Sequence, residues 1–262
     1  MIRNRHYRGG QLRPSPQPSP RGRGRKIRTL TIVFSLTSFV LLHLLPIPLS
    51  ASPQSNSPQS PVEISGEAHH HLKFENEFVR VWDVTVPAGE ATLWHVHRND
   101  NVVVTLGDAN LRLENVTGPP SEALWKFGEV RFAKATYTHR AMNIGTTPFH
   151  NLTIELLKPT NFVADPSALP AEEAGRTPIL ENDRVRVYRL SLQPGEAQAM
   201  HTHPLPGLVV TITAAEIEVK ANGKPVTHPV KSNDVSWQAG GVAHSIRNVG
   251  RTRFESLIVE LK

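Results

Sequence analysis

The chain has 262 residues, 29 Lys and Arg against 23 Asp and Glu, a formal charge of +6 and no cysteine. Nine of the basic residues fall within the first 51, which hold no acidic residue, so the remainder carries 20 against 23 and a net charge of −3. That balance excludes a basic stripe tracking a phosphate backbone, and nucleic acid with it; the missing cysteines exclude disulfides, thiolate metal sites and a thiol nucleophile.

Residues 1–51 read as an address. A low-complexity Pro/Ser/Arg/Gly head leads to Arg25, Lys26 and Arg28, then to an apolar run of 17 residues from Thr29 to Leu45. Pro46 and Pro48 break the run ahead of Leu49-Ser50-Ala51. The basic, apolar, small order predicts a signal peptide and export to the periplasm or the exterior, with no stable membrane association after cleavage; an uncleaved membrane anchor is the alternative. Residues 52–69 are rich in Ser, Pro and Gln and read as a flexible spacer. The run His69-His70-His71 that follows reads as solvated.

The body of the chain repeats itself. Glu75-Asn76-Glu77-Phe78-Val79-Arg80-Val81-Trp82 recurs as Glu181-Asn182-Asp183-Arg184-Val185-Arg186-Val187-Tyr188, an offset of 106. The same offset carries Gly89 onto Gly195, His95 onto His201 and His97 onto His203; after one deletion, an offset of 105 carries His139 onto His244 and Asn143 onto Asn248. Period-two patterns such as Val79/Val81, Leu111/Leu113, Ile217/Val219 and Leu257/Val259/Leu261 predict half-buried strands. Pro87-Ala88-Gly89, Gln193-Pro194-Gly195 and Asn222-Gly223 supply turns. The fold class is therefore all-β, a barrel or sandwich repeated over 70–158 and 179–262. A linker at 159–178 separates the units, with room for a short helix around Ala171 to Ala174.

Six of the eleven histidines after residue 51 occupy equivalent positions: His95, His97 and His139, then His201, His203 and His244. On a strand, residues i and i+2 face one side, so each His-x-His pair brings two imidazoles together, and a later strand adds a third. This is a donor set for a divalent ion; imidazole suits iron, zinc, nickel, copper and manganese, and spacing alone does not choose among them. His150 and His228 lack repeat partners and read as surface residues. Arg80 and Arg186 read as exposed and ion-paired, the four tryptophans as packing residues, and Asp100 as a weak acid/base candidate beside the first triad.

These motifs resemble those of the cupin superfamily. Gly89 to His95-Val96-His97 and Gly195 to His201-Thr202-His203 are similar to its first motif. Gly128, His139 and Asn143 are similar to its second, as are Asn233, Gly241, His244 and Asn248. The resemblance implies two tandem jelly-roll β-barrels and a metal ion in each. Where cupins often carry a fourth, carboxylate ligand, this chain has Val102 and Leu208, so two three-histidine sites are expected. By resemblance to three-histidine cupin dioxygenases, ferrous iron is favoured and the expected function is dioxygenase-like oxidation of a small chelating substrate. A metal-dependent lyase, decarboxylase or isomerase, and a non-catalytic periplasmic binding protein, stand as alternatives; a homo-oligomer is allowed.

Overall fold

The computed structural model describes residues 60–164, 166, 175–221 and 223–262. The segment read as a signal, most of the spacer, the helix expected at Ala171 to Ala174 and Asn222 of one predicted turn lie outside them. Nineteen strands and one 3-10 turn are present among the described residues. The first barrel contains β1 (Val62–Glu63), β2 (His70–Glu75), β3 (Val79–Val86), β4 (His95–His97), β5 (Asn101–Thr105), β6 (Ala109–Asn115), β7 (Ser121–Trp125), β8 (Val130–Ala133), β9 (Tyr137–Asn143) and β10 (Phe149–Leu156). The second contains β11 (Arg176–Glu181), β12 (Val185–Leu192), β13 (Ala197–His201), β14 (Gly207–Thr211), β15 (Ala215–Ala221), β16 (Val226–Val230), β17 (Val235–Gln238), β18 (His244–Asn248) and β19 (Phe254–Leu261).

Each barrel is a pair of sheets. In the first, an outer sheet runs β1-β4-β9-β6-β7 and an inner sheet β2-β3-β10-β5-β8. The second repeats this with β13-β18-β15-β16 outside and β11-β12-β19-β14-β17 inside. The architecture is all-β, as the period-two pattern implied. A strand is present within the stretch read as spacer: β1 pairs in parallel with β4, setting Val62 opposite His95. Ile64 in the following turn is buried beneath Trp82 and Phe149, which gives this segment a reason to stay put.

The recurring asparagines are explained by turns. Buried Asn143 donates through Nδ2 to the carbonyls of Val86 (2.9 Å) and Thr147 (2.8 Å) and accepts the Gly145 N–H (3.0 Å). Asn248 makes the same three bonds, to Leu192, Thr252 and Gly250. A buried amide with its partners satisfied locks the turn before the last strand of each barrel. Gly89 and Gly195, with φ of 80° and 85°, take the left-handed turn position that a side chain disfavours.

The inner sheets lie back to back. One apolar cluster contains Val79, Val81, Val102, Val104, Leu152, Ile154 and Leu156 of the first barrel, together with Val185, Val187, Leu208, Val210, Leu257, Val259 and Leu261 of the second. Trp82, Val84, Val86 and Phe149 belong instead to the first barrel's own interior, with Leu111. The inner strands are thus buried on both faces, whereas alternation predicted one, and Val79 and Val81 face the sister barrel. Polar bonds related by the repeat flank the seam: Asn233 Nδ2 donates to Asp83 Oδ2 (2.6 Å), and Arg189, at the position equivalent to Asp83, donates to the Gly128 carbonyl (2.5 Å). His150, expected on the surface, is partly buried here and bonds Asp83 at 2.8 Å.

Two measurements test the seam. Val102 has no exposed surface, so Val102→Glu should bury an unpaired carboxylate between the barrels and lower stability by about 3 kcal/mol or more in urea unfolding, without adding a metal ligand. Burial alone would raise Asp83, but hydrogen bonds from His150 and Asn233 outweigh it and hold the carboxyl at about 2. A folded value below the unfolded one, about 3.9, means that this contribution is complete above about pH 4 and lost as pH falls towards 2. The stability gap between wild type and Asp83→Asn should therefore be constant, at about 1 kcal/mol, above pH 4 and close below it.

Candidate metal centre

Pairing of β4 with β9 sets His95 directly opposite His139, and the two-residue repeat of β4 brings His97 to the same face. The Nε2 atoms form a triangle: His95 to His97 is 3.0 Å, His97 to His139 is 3.2 Å and His139 to His95 is 3.1 Å. His95 donates its Nδ1 proton to the Leu93 carbonyl at 2.9 Å, which leaves its Nε2 bearing a lone pair. Lone pairs converging this closely call for a shared cation. For nitrogens about 2.1 Å from an ion, neighbours stand about 3.0 Å apart at the right angles of an octahedron and about 3.4 Å apart in a tetrahedron. The triangle fits one face of an octahedron.

Burial, then the neighbouring imidazoles, lowers His97 to about 2. The same causes bring His139 to about 3; burial is also the main cause for His95, at about 4. All three are neutral at physiological pH, the state in which imidazole binds a metal.

Sequence reasoning missed His70. It belongs to a run read as solvated, yet it is 8% exposed and sits at the start of β2 opposite Val84, inside the barrel. His70, His95 and His97 form a group whose ligand atoms lie within 4.8 Å of one another. His70 Nδ1 bonds Glu67 Oε2 at 2.5 Å, which turns Nε2 into its remaining donor atom. Glu67 is itself buried and also accepts the backbone N–H groups of His69 (2.9 Å) and Leu93 (3.1 Å). Burial would raise its carboxyl, but these bonds, led by His70, hold it at about 2. A carboxylate behind a histidine fixes the ring and raises its basicity. The first barrel therefore places a fourth imidazole, His70, beside His95 and His97 where three histidines were expected.

The triangle opens into a cavity of about 310 Å³. Val84, Val103, Leu113, Phe132 and Phe149 make apolar walls, and Arg131, Tyr137, Trp125, Asn115 and Thr92 bring polar groups to them. Tyr137 stacks on His97, ring centroids 4.5 Å apart, and burial pushes its hydroxyl up to about 12. Arg131 lies 4.8 Å above the Trp125 ring. The Arg131 Nε and Trp125 Nε1 atoms are buried without a protein partner.

Asp100, the acid/base candidate, is not part of this cavity. Its Oδ1 accepts the Ala135 N–H at 2.8 Å and its Oδ2 pairs with Arg184 of the second barrel at 2.7 Å. It is a strut between barrels. Val102 points into the seam, so the interior position beside it is Asn101, whose amide is engaged by the Tyr137 hydroxyl (3.1 Å). Arg80 and Arg186 do pair as expected, with Glu75 and Glu181, each at 2.7 Å.

In the second barrel His201, His203 and His244 also come together, with ligand atoms within 4.8 Å, so both triads are arranged to be able to hold a metal ion. His201 and His244 donate Nδ1 protons to the carbonyls of Ala199 (2.8 Å) and Val242 (3.0 Å). His203 contacts Arg176 Nη1 at 2.9 Å and Glu260 Oε1 at 3.3 Å. Burial first, and Arg176 next, lowers His203 to about 3, while burial lifts Glu260 to about 6 against the pull of Arg176.

No protein-family model matches the chain. A curated oxalate-binding protein from Thermotoga maritima is 34% identical over 79 residues, which cover 30% of this chain and 64% of that protein. Among solved structures, an oxalate decarboxylase of Bacillus subtilis aligns with a TM-score of 0.53 at 12% identity, covering 73% of this chain and 74% of that one. Salicylate 1,2-dioxygenase from Pseudoaminobacter salicylatoxidans, solved with gentisate, aligns at 0.53 and 13%, covering 77% and 76%. At such identities these structures speak for the fold alone.

The strut reading of Asp100 is testable. Asp100→Ala should lower stability by about 1–3 kcal/mol through the unpaired Arg184, yet leave the metal content of the purified protein unchanged. A loss of metal at unchanged stability would return Asp100 to the site.

Proposed function

We propose that this chain, which carries the cupin fold twice in tandem, is an exported metal-dependent oxidoreductase that acts with dioxygen on a small chelating carboxylate in its first barrel. The observation that carries the reading is the Nε2 triangle of His95, His97 and His139 at the wall of a largely apolar cavity. His70 stands beside His95 and His97. When bound, a divalent ion held by neutral nitrogens alone keeps its full charge and supplies Lewis acidity or, as the favoured ferrous iron, redox chemistry. An octahedral arrangement is more in keeping with iron or manganese than with tetrahedral zinc.

The protein's other residues select and shield the substrate. Among the described residues Arg131 is the one permanent cation on the cavity wall, and its Nε–H and the Trp125 N–H, both without a protein partner, are donors suited to a carboxylate. With its hydroxyl pushed up to about 12, Tyr137 keeps its proton at neutral pH, so its O–H remains a hydrogen-bond donor. The apolar walls exclude water and strengthen every polar contact inside. The Thermotoga relative, described as oxalate-binding, supports a small carboxylate and also favours a second reading: metal-assisted decarboxylation, or binding without turnover, of such an acid.

Oxygen consumption by the metal-loaded protein, recorded with oxalate, diketones, catechols and aromatic hydroxy acids, separates these readings. Substrate-dependent uptake supports the oxidoreductase; release of carbon dioxide without uptake supports the lyase; tight binding with neither supports a binding protein. Arg131→Gln should weaken carboxylate binding by about 10–100-fold while metal content is unchanged. Sequencing the amino terminus of the exported protein checks the export reading, which expects a start shortly after Ala51.

A further inference from the structure

We propose that the two triads are unequal: the first is the metal centre, and the second is kept poor in metal by Arg176, which stands where the first barrel has His70. The proposal rests on the first triad being a metal site, as read above.

The equivalence is one of register. His70 lies opposite Val84 and Arg176 opposite Leu190, so both pairs are related by the offset of 106. Both side chains are buried, at 8% and 2% exposure. At this one interior position the first barrel presents an imidazole, a side chain able to ligate a metal, and the second a permanent cation with no lone pair to give.

Arg176 also changes a ligand. A guanidinium only donates hydrogen bonds, so at 2.9 Å from Arg176 Nη1 the His203 Nδ1 atom must be the acceptor. The ring proton of neutral His203 then sits on Nε2, which removes the lone pair a metal would need. A proton on Nδ1 could instead reach Glu260 at 3.3 Å, but it would face the closer Arg176 donor head-on. In the first barrel the corresponding glutamate, Glu155, is occupied elsewhere, by the Trp82 indole (2.7 Å) and Asn99 (3.0 Å). The repeat places Tyr188 and Leu205 at those two positions, and Glu260 has Arg176 as its partner instead, at 3.3 Å.

The ring arrangements differ. His97 and His139 meet at 66° with centroids 5.0 Å apart, whereas His203 and His244 lie near-parallel, at 7° and 5.1 Å. His201 Nε2 is buried with no partner, unlike the close triangle of the first site. The groups expected to handle substrate are gone as well, since the offsets place Ser236, Val242 and Ala221 at the positions of Arg131, Tyr137 and Asn115.

Binding at the second triad should be weaker than at the first by a hundredfold or more, on the order of what altered support of a ligand costs or larger. The test uses the full chain, stripped with chelator and titrated anaerobically with Mn²⁺ by calorimetry, with bound metal counted after gel filtration. Wild type should hold about one tight ion. His97→Ala should lose it, His203→Ala should keep it, and Arg176→His should gain a second. Arg176→Gln, which removes the charge without adding a ligand, should strengthen the weak class and serves if the histidine variant fails to fold by circular dichroism. Two equally tight ions in wild type, one of them lost in His203→Ala, would overturn the inequality. Folded Arg176 variants with an unchanged second site would overturn the role of Arg176. No tight ion in wild type, or one that survives His97→Ala, would instead sink the reading of the first triad.

Discussion

Back-to-back packing of the two inner sheets is the constraint on which the rest of the molecule depends. Because each inner strand is covered on both faces, its alternate residues are committed to two different cores. On β3, Val79 and Val81 serve the seam while Trp82, Val84 and Val86 fill the first barrel. A slip of one residue would exchange these sets, so the register is held from two sides at once. His70 inherits its inward direction from this, being paired opposite Val84, and Val102 its outward one. The triangle itself lies on β4 and β9 of the outer sheet, and the wall facing it, with His70, is built on a sheet whose rear face is another domain's core.

The repeat then separates what the scaffold requires from what the chemistry requires. Asn143 and Asn248 make the same three bonds, and the left-handed Gly89 and Gly195 match within a few degrees of φ. These features shape the turns of any such barrel. His70 and Arg176, Trp82 and Tyr188, and Asn99 and Leu205 differ, and all of them surround the triads. Two barrels of one shape thus give their buried histidines opposite electrostatic settings. One is a set of converging imidazoles, with His70 beside them steadied from behind by Glu67. The other is a closed Arg, Glu and His cluster whose charges answer one another.

Much of this was legible in the sequence. The offsets of 106 and 105 fixed the tandem barrels, and His-x-His on a strand fixed which imidazoles share a face. The errors trace to one physical cause. Alternation reports that a strand is half-buried or not, and it carries no sign of which body covers the second face, so the pattern of Val79 and Val81 did not reveal that they face the sister barrel. Asp100, three residues past the last β4 ligand and adjacent to β5, looked close to the chemistry, yet its partner Arg184 comes from the other barrel. His70 was hidden inside a run of three histidines whose composition suggests solvent. A signal for it existed: the offset that aligned the other histidines carries His70 onto Arg176 and Val84 onto Leu190, and a position holding first a histidine and then an arginine opposite an interior aliphatic residue is not a solvated one.

A second barrel with little metal is still needed by the first. Without it, the seam residues of β3, β5 and β10 would expose a continuous apolar surface, and such surfaces seek another partner or aggregate. Covering that sheet also stiffens the strands that carry the cavity walls Val103, Asn151 and Thr153, since their neighbours Val102, Val104, Leu152 and Ile154 are clamped in the seam. Rigidity of the inner sheet therefore fixes the cavity walls that face the triangle, whose histidines sit on β4 and β9 of the outer sheet. The second barrel can exchange its metal ligands for an ion-paired interior and lose none of that supporting role, because the support is delivered by its rear face and the histidines lie on its front.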